Sequence, residues 1–362
     1  MSDRSMLSRR RKRFKIILCI LCIFIILLIF PSWTPKIRDD KGAVLPNSVS
    51  ILEQIELDGI KQSILIRGKD KRNPIVLFLH GGPGYPQISY ARKYQSELEN
   101  DFIVVNWDQR GSGKSYHLGM SENDLQIDNL IQDTVELTEY LKQKFDQPKI
   151  FIAGHSWGSL LAIWTVQKHP EDFYAYIGIG QVANSPLGEQ LSYQFALDEA
   201  RKQKNKQAIT DLESIGSPPY KNPRKDTTLE RKWVTAFGGS ERKSNSYNEL
   251  MKGIFFRPEY TWADGIKLAL GDAFSRKVIL PQTEDTDLFK TLPELNVPVY
   301  FCMGRYDYMT PSEVVYNYFE KLVAPEKQFI WFEHSAHFPH FEEIDKFHAV
   351  LVNIKKKIIS GG

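Results

Sequence analysis

From Ile51 onward, short apolar runs rich in β-branched residues alternate with longer amphipathic stretches. Continuous apolar runs suit strands buried on both faces, and the amphipathic stretches suit helices laid over them. The pattern predicts strands at Ile51–Leu57, Lys61–Ile66, Pro74–Leu79, Phe102–Asn106, Lys149–Ala153, Ala175–Ile179, Val297–Met303 and Gln328–Phe332. Strands alternating with helices predict the α/β class, with a mostly parallel eight-stranded sheet and helices on both faces.

Between Asn184 and about Pro281 the strand rhythm stops, and a charged, aromatic-rich helical stretch takes its place. This predicts a helical cap at 184–280, inserted into a core formed by 51–183 and 281–362. Tyr193, Phe195, Trp233, Phe237, Phe255, Phe256, Tyr260 and Trp262 lie in it, and most are expected to pack the cap's own interior.

The N-terminal pattern differs. Arg9 to Arg13 form a basic cluster, Lys15 follows, and Ile16–Phe30 is an uninterrupted apolar run. The run predicts one uncleaved transmembrane helix within 1–33, followed by a polar linker at 34–50. Basic residues ahead of it predict a cytoplasmic N-terminus and an extracytoplasmic catalytic domain. A cleaved signal peptide is the runner-up, but the exit Pro31-Ser32-Trp33-Thr34-Pro35 lacks the small-x-small site a peptidase needs. A lipoprotein site at Cys22 is disfavoured because Leu21 precedes it.

The chain has 362 residues, 47 basic and 44 acidic, so its net charge of +3 leaves no broad basic surface for nucleic acid. Of three cysteines, Cys19 and Cys22 fall in the apolar run and Cys302 in a predicted buried strand, so no disulfide framework is expected.

Gly154-His155-Ser156-Trp157-Gly158 follows the predicted strand Lys149–Ala153 and is a G-x-S-x-G turn. Such a turn holds a serine hydroxyl proud of the sheet, and its glycines avoid collisions with the neighbouring strand and helix. His80-Gly81-Gly82-Pro83-Gly84 follows another buried strand, where glycines bring backbone N–H groups close to a developing oxyanion. Gly82 and Trp157 are the expected donors.

An acid and a histidine should follow in that order, each just past a strand. Asp307 lies past Val297–Met303 and His337 past Gln328–Phe332. Ser156, Asp307 and His337 are therefore the expected catalytic residues. Asp285 and Asp287 are less well placed rivals to Asp307. His334, His337 and His340 span a strand end, a loop and a helix start without H-E-x-x-H, so no metal is expected. Gly111-Ser112-Gly113-Lys114-Ser115 ends like a P-loop, but Asp108 stands where its first glycine is required. The segment reads as a rigid turn in which Asp108 and Arg110 pair.

His80–Gly84, Trp107-Asp108-Gln109-Arg110-Gly111-Ser112-Gly113-Lys114-Ser115 and Gly154–Ser159 together resemble the proline iminopeptidases, serine peptidase family S33 of the α/β-hydrolase fold. The resemblance implies a triad of Ser156, Asp307 and His337, an oxyanion hole near Gly82 and Trp157, and no metal or organic cofactor. It also implies acidic cap residues that bind a free α-amine, one of them directly after a tryptophan. Here Val234 follows Trp233, and Gly178–Val182 stands where the family tends to carry an arginine; Glu189, Glu199, Glu230 and Glu241 remain as candidate acids. The expected activity is hydrolysis of a small peptide, amide or ester, by an aminopeptidase or by a carboxylesterase acting on an uncharged acyl group. A non-catalytic binding module is a third reading. Serine at the elbow disfavours epoxide hydrolase and dehalogenase chemistry.

Overall fold

The computed structural model describes residues 12–20, 31–242 and 246–360. Among them, eight strands form one sheet: β1 (Val49–Leu57), β2 (Ile60–Gly68), β3 (Ile75–Leu79), β4 (Ile103–Asp108), β5 (Ile150–His155), β6 (Phe173–Ile179), β7 (Val299–Gly304) and β8 (Lys327–Phe332). All eight predicted strands are present, with ends shifted by a few residues. Their order is β1-β2-β4-β3-β5-β6-β7-β8, antiparallel at β1–β2 and β2–β4 and parallel elsewhere.

Alternation along the central strands feeds two cores. Leu77, Leu79, Val105, Ile150, Ile152 and Phe301 point to one face, where α3 (Ile127–Phe145) and α4 (Trp157–Lys168) bring Leu137, Leu141, Leu160 and Leu161. Val76, Phe78, Val104, Phe151, Ala153 and Ile177 point to the other, where α13 (Ile344–Ser360) brings Phe347, Leu351 and Ile354. With both faces covered, β3, β5 and β7 have no exposed residue, which is why they read as continuous apolar runs.

Between β6 and β7 lie α5 (Ser185–Lys202), α6 (Lys206–Ile215), α7 (Pro223–Ala236), α8 (Ser246–Phe256), α9 (Trp262–Ile279) and the short α10 (Leu288–Thr291). Asn184 and Asn205 cap α5 and α6 by accepting from Leu187 and Ala208 N–H, and Thr261 with Asp264 forms a capping box on α9. The first three helices pack around Tyr193, Leu197, Leu212 and Trp233, with Phe195 and Phe237 at the edge. Leu250, Ile254, Tyr260 and Leu268 of the remainder pack on Ile88, Tyr90 and Tyr94 of α2 (Ile88–Gln95). Most of the aromatic residues singled out in this stretch therefore serve packing, while Phe255 and Phe256 stay exposed.

Residues 32–35 are pinned on both sides. Lys114 Nζ donates to Ser32 Oγ (2.7 Å), Trp33 N–H donates to Pro258 O (2.9 Å), and Thr34 Oγ1 donates to Glu259 Oε1 (3.2 Å). Arg67 of β2 donates to Thr34 Oγ1, Pro35 O and Ser50 Oγ while forming a buried ion pair with Glu99 at 2.7 Å.

The membrane expectation requires correction. Residues 12–20 are helical and form α1. Among the described residues no helix is long and apolar enough to cross a membrane, so the transmembrane anchor and the extracytoplasmic placement are withdrawn. Residues 1–11 and 21–30, including Cys22, lie outside the described residues. Cys302 is a buried free thiol and Cys19 an exposed one.

Candidate active site

β5 runs directly into Ser156, the residue before α4, whose backbone adopts φ 55° and ψ −124°. A non-glycine residue at positive φ is strained, and here the surroundings impose it. A Cβ on Gly154 would strike the Gly158 carbonyl, and one on Gly158 would strike the carbonyls of Leu79 and His80. No backbone atom there has room to yield. Ser156 N–H donates to Ile179 O (2.9 Å), and its carbonyl accepts from Ser159 N–H (2.8 Å) and Ser159 Oγ (2.5 Å). The elbow is thus tied to β6 as well as to its own helix.

Asp307, past the end of β7, is buried and fully engaged. Oδ1 accepts from Met309 and Thr310 N–H, both at 2.9 Å, and Oδ2 accepts from Thr310 Oγ1 (2.9 Å) and His337 Nδ1 (2.8 Å). His337 lies past β8 and is likewise buried. Its N–H donates to Ser240 O and its carbonyl accepts from His155 Nε2, both at 2.9 Å. The ring packs on Gly180, where a Cβ would come within 2.9 Å of Cε1, and Gly180 directly follows the Ile179 that anchors Ser156. With Nδ1–H given to Asp307, Nε2 carries the free lone pair and can accept a proton. The loop bearing His337 is held from below: Glu342 accepts from Ala336 N–H, and Glu343 from His334 N–H and Ser335 Oγ.

The other predicted positions fall as follows. His334 is exposed on that loop, and His340 is buried with no hydrogen bond to either ring nitrogen. Burial holds His340 down at about 3 and depresses His155 well below the usual imidazole range, with neighbouring rings adding to the effect. Asp285 is exposed, and Asp287 caps α10 through Phe289 N–H. Gly81 makes the closest approach to the elbow: a Cβ there would lie 2.8 Å from Ser156 Cβ. Gly82 follows at φ +117°, and Trp157 opens α4, whose N-terminal dipole favours negative charge.

The Asp108–Arg110 pair does not form. Arg110 turns to Asp133 of α3 (2.7 Å) and Asp58 (3.0 Å), while Asp108 accepts from Lys114 N–H (2.9 Å) and from Tyr260 Oη. Burial pushes the Asp108 carboxyl up to about 7, against the opposing pull of those two donors.

The helices between β6 and β7 add a group that sequence spacing did not bring together. Arg231 of α7 pairs with Glu189 of α5 and with neighbouring Glu230 (3.2 Å). Ser192 Oγ lies 2.7 Å from Glu230 Oε1 and 2.6 Å from Tyr308 O, so the cluster touches the residue after Asp307. Burial raises the Glu230 carboxyl. Oε2 of Glu189, Oε2 of Glu230 and the Tyr220 hydroxyl are buried without a hydrogen bond. Thr310 and Arg231 were missed; the Asp-x-x-Thr spacing of an Asx-type turn is the signal that points to the first.

Residues 74–344 match the alpha/beta hydrolase fold family. Over 302 residues the chain is 37% identical to the "Probable aminopeptidase YbaC" of Bacillus subtilis strain 168, covering 83% of this chain and 94% of the relative. It is 26% identical over 277 residues to a proline iminopeptidase of Heyndrickxia coagulans, covering 76% and 88%. The crystal structure of a proline iminopeptidase-related protein from Thermus thermophilus superposes with a TM-score of 0.54 at 18% identity, over 86% of this chain and 99% of that one. With its eight-stranded sheet, its elbow and its match over most of its length, the chain belongs to the alpha/beta hydrolase fold family of enzymes and is similar to the proline iminopeptidases.

Proposed function

We propose that the chain is a serine hydrolase of aminopeptidase type that cleaves a small peptide or amide through an acyl-enzyme at Ser156. The observation that carries this reading is the 2.8 Å bond from His337 Nδ1 to Asp307 Oδ2, with the His337 ring packed on Gly180, next in sequence to the Ile179 whose carbonyl anchors Ser156 at φ 55°. Ser156 Oγ attacks the scissile carbonyl carbon while His337 Nε2 takes its proton. Asp307 holds the imidazole in the required tautomer and stabilises the cation. The carbonyl oxygen becomes an oxyanion received by the Gly82 and Trp157 N–H groups. The imidazolium then protonates the leaving amine as the C–N bond breaks, and water deacylates the serine by the same steps.

The aminopeptidase assignment rests on Glu189, Arg231 and Glu230. Two carboxylates against one guanidinium leave a net negative charge in a half-buried place that touches the residue after Asp307, with Glu189 Oε2 lacking a hydrogen bond. A substrate ammonium supplies what that atom lacks. In this reading 184–280 is a cap over the site. A carboxylesterase acting on an uncharged acyl group is the second reading, favoured by Arg231 already sitting between the two acids.

The test is labelling of the full chain with a fluorophosphonate, followed by turnover of prolyl and alanyl amides with free or acetylated amines beside short-chain esters. Labelling lost in Ser156→Ala, with preference for free amines, is the expected result. Labelling that persists in Ser156→Ala removes the nucleophile assignment, and equal turnover of acetylated substrates removes the aminopeptidase assignment.

A further inference from the structure

Gln109 takes no part in the steps above, yet it is buried and both ends of its amide are engaged. Nε2 donates to His80 O at 2.9 Å, and Oε1 accepts from Trp157 Nε1 at 3.0 Å. Its own backbone N–H donates to His80 Nε2 at 3.2 Å, and His80 Nδ1 donates to Gly81 O at 2.9 Å. One side chain therefore spans the two segments that carry the proposed oxyanion donors, His80–Gly84 and the head of α4.

A glycine-rich loop does not hold an N–H group in place by itself, because glycine leaves its backbone the widest freedom. Donors aimed at an oxyanion are effective only when fixed beforehand. The bridge also requires one tautomer of His80: Nδ1 must carry the proton, and Nε2 must accept. Burial lowers His80 to about 4, so the ring stays neutral above that pH.

We infer that Gln109 is a positioning residue that sets the separation of the two halves of the oxyanion hole, and so governs kcat rather than substrate binding. The inference rests on the proposed role of Ser156. Only an amide serves both ends, since a carboxylate has no proton for His80 O and a thioether has none either, its sulfur being only a weak acceptor for Trp157 Nε1–H.

The test compares wild type and Gln109→Met as full-length chains, measuring kcat, KM and the second-order rate of fluorophosphonate labelling. In Gln109→Met, kcat and the labelling rate are expected to fall together by about 30-fold with KM within about twofold, less than the loss of an oxyanion donor outright. Unchanged kcat, or a rise in KM that accounts for the whole loss, overturns the inference. Should Gln109→Met not fold, Trp157→Phe removes the indole N–H that Oε1 accepts, together with the five-membered ring, and is expected to lower kcat about fivefold at constant KM; wild-type kcat there overturns the inference too. A wild-type chain that resists labelling overturns the Ser156 assignment itself, a result distinct from a labelled wild type with an indifferent Gln109.

Discussion

Two sets of acids lie close to Asp307's loop, and they are held in opposite ways. Asp307 receives four hydrogen bonds, two on each oxygen, so all its capacity goes into orienting His337 and its own turn. Glu189 and Glu230 share one arginine, and Glu189 keeps an Oε2 without a hydrogen bond. An acid satisfied from within fixes geometry; an acid left partly unsatisfied awaits a donor from outside. On this contrast the proposed reaction belongs to the core and the proposed selectivity to the helices between β6 and β7.

Four changes probe the contrast. The largest effect is expected for Asp307→Asn, which leaves the volume intact but removes the acceptor that selects the tautomer of His337. A kcat loss of about 10⁴-fold near neutral pH is expected for every substrate, capped or free. Glu189→Gln neutralises the cluster while sparing the Arg231–Glu230 pair. It should lower kcat/KM by about 10²-fold for free-amine substrates and leave acetylated ones unchanged, as charge-assisted hydrogen bonds of that kind are worth. A similar fall for both substrate types would erase the division between the two regions.

The third change concerns a buried acid of neither set. The folded state holds the Asp108 proton up to about 7, against an ordinary value of 3.8. Folded protein therefore binds more protons than unfolded chain between those values, and this group's stability is present below about 4 and lost as pH rises toward 7. Asp108→Asn abolishes that loss. Unfolding free energies from urea titrations should shift in favour of the variant by about 3 kcal/mol between pH 4.5 and 7.5. Smallest of the four is Thr34→Val, which deletes the hydroxyl between Arg67 and Glu259 and should cost about 1 kcal/mol in thermal or urea unfolding with kcat unchanged.

The sheet was legible because buried parallel strands must be apolar throughout, so residues 76–79 and 150–153 stand out without any knowledge of what covers them. The elbow, Asp307 and His337 were legible for a related reason: each sits at the end of such a strand. Partners brought from distant helices were not. Arg110 pairs with Asp133 on α3 and Asp58 before β2 because helix docking decides which side chains meet. Sequence proximity to Asp108 carried no such information. Likewise Glu189, Ser192, Glu230 and Arg231 converge only once α5 and α7 pack around Tyr193 and Trp233. The apolar run at Ile16–Phe30 gave a transmembrane expectation that no helix among the described residues meets.

The strap at 32–35 bears on where this domain begins. The family match starts at residue 74, just before β3, but the sheet begins at β1, which invites a shortened gene that opens just before β1. Such a truncation would delete the Thr34 hydroxyl and Pro35 carbonyl from the coordination of Arg67, strip Glu259 of a donor, and leave Lys114 without Ser32. These losses fall on both sides of one seam, between the sheet and the loop joining α8 to α9. The packed unit therefore includes residues 32–35, ahead of its first strand.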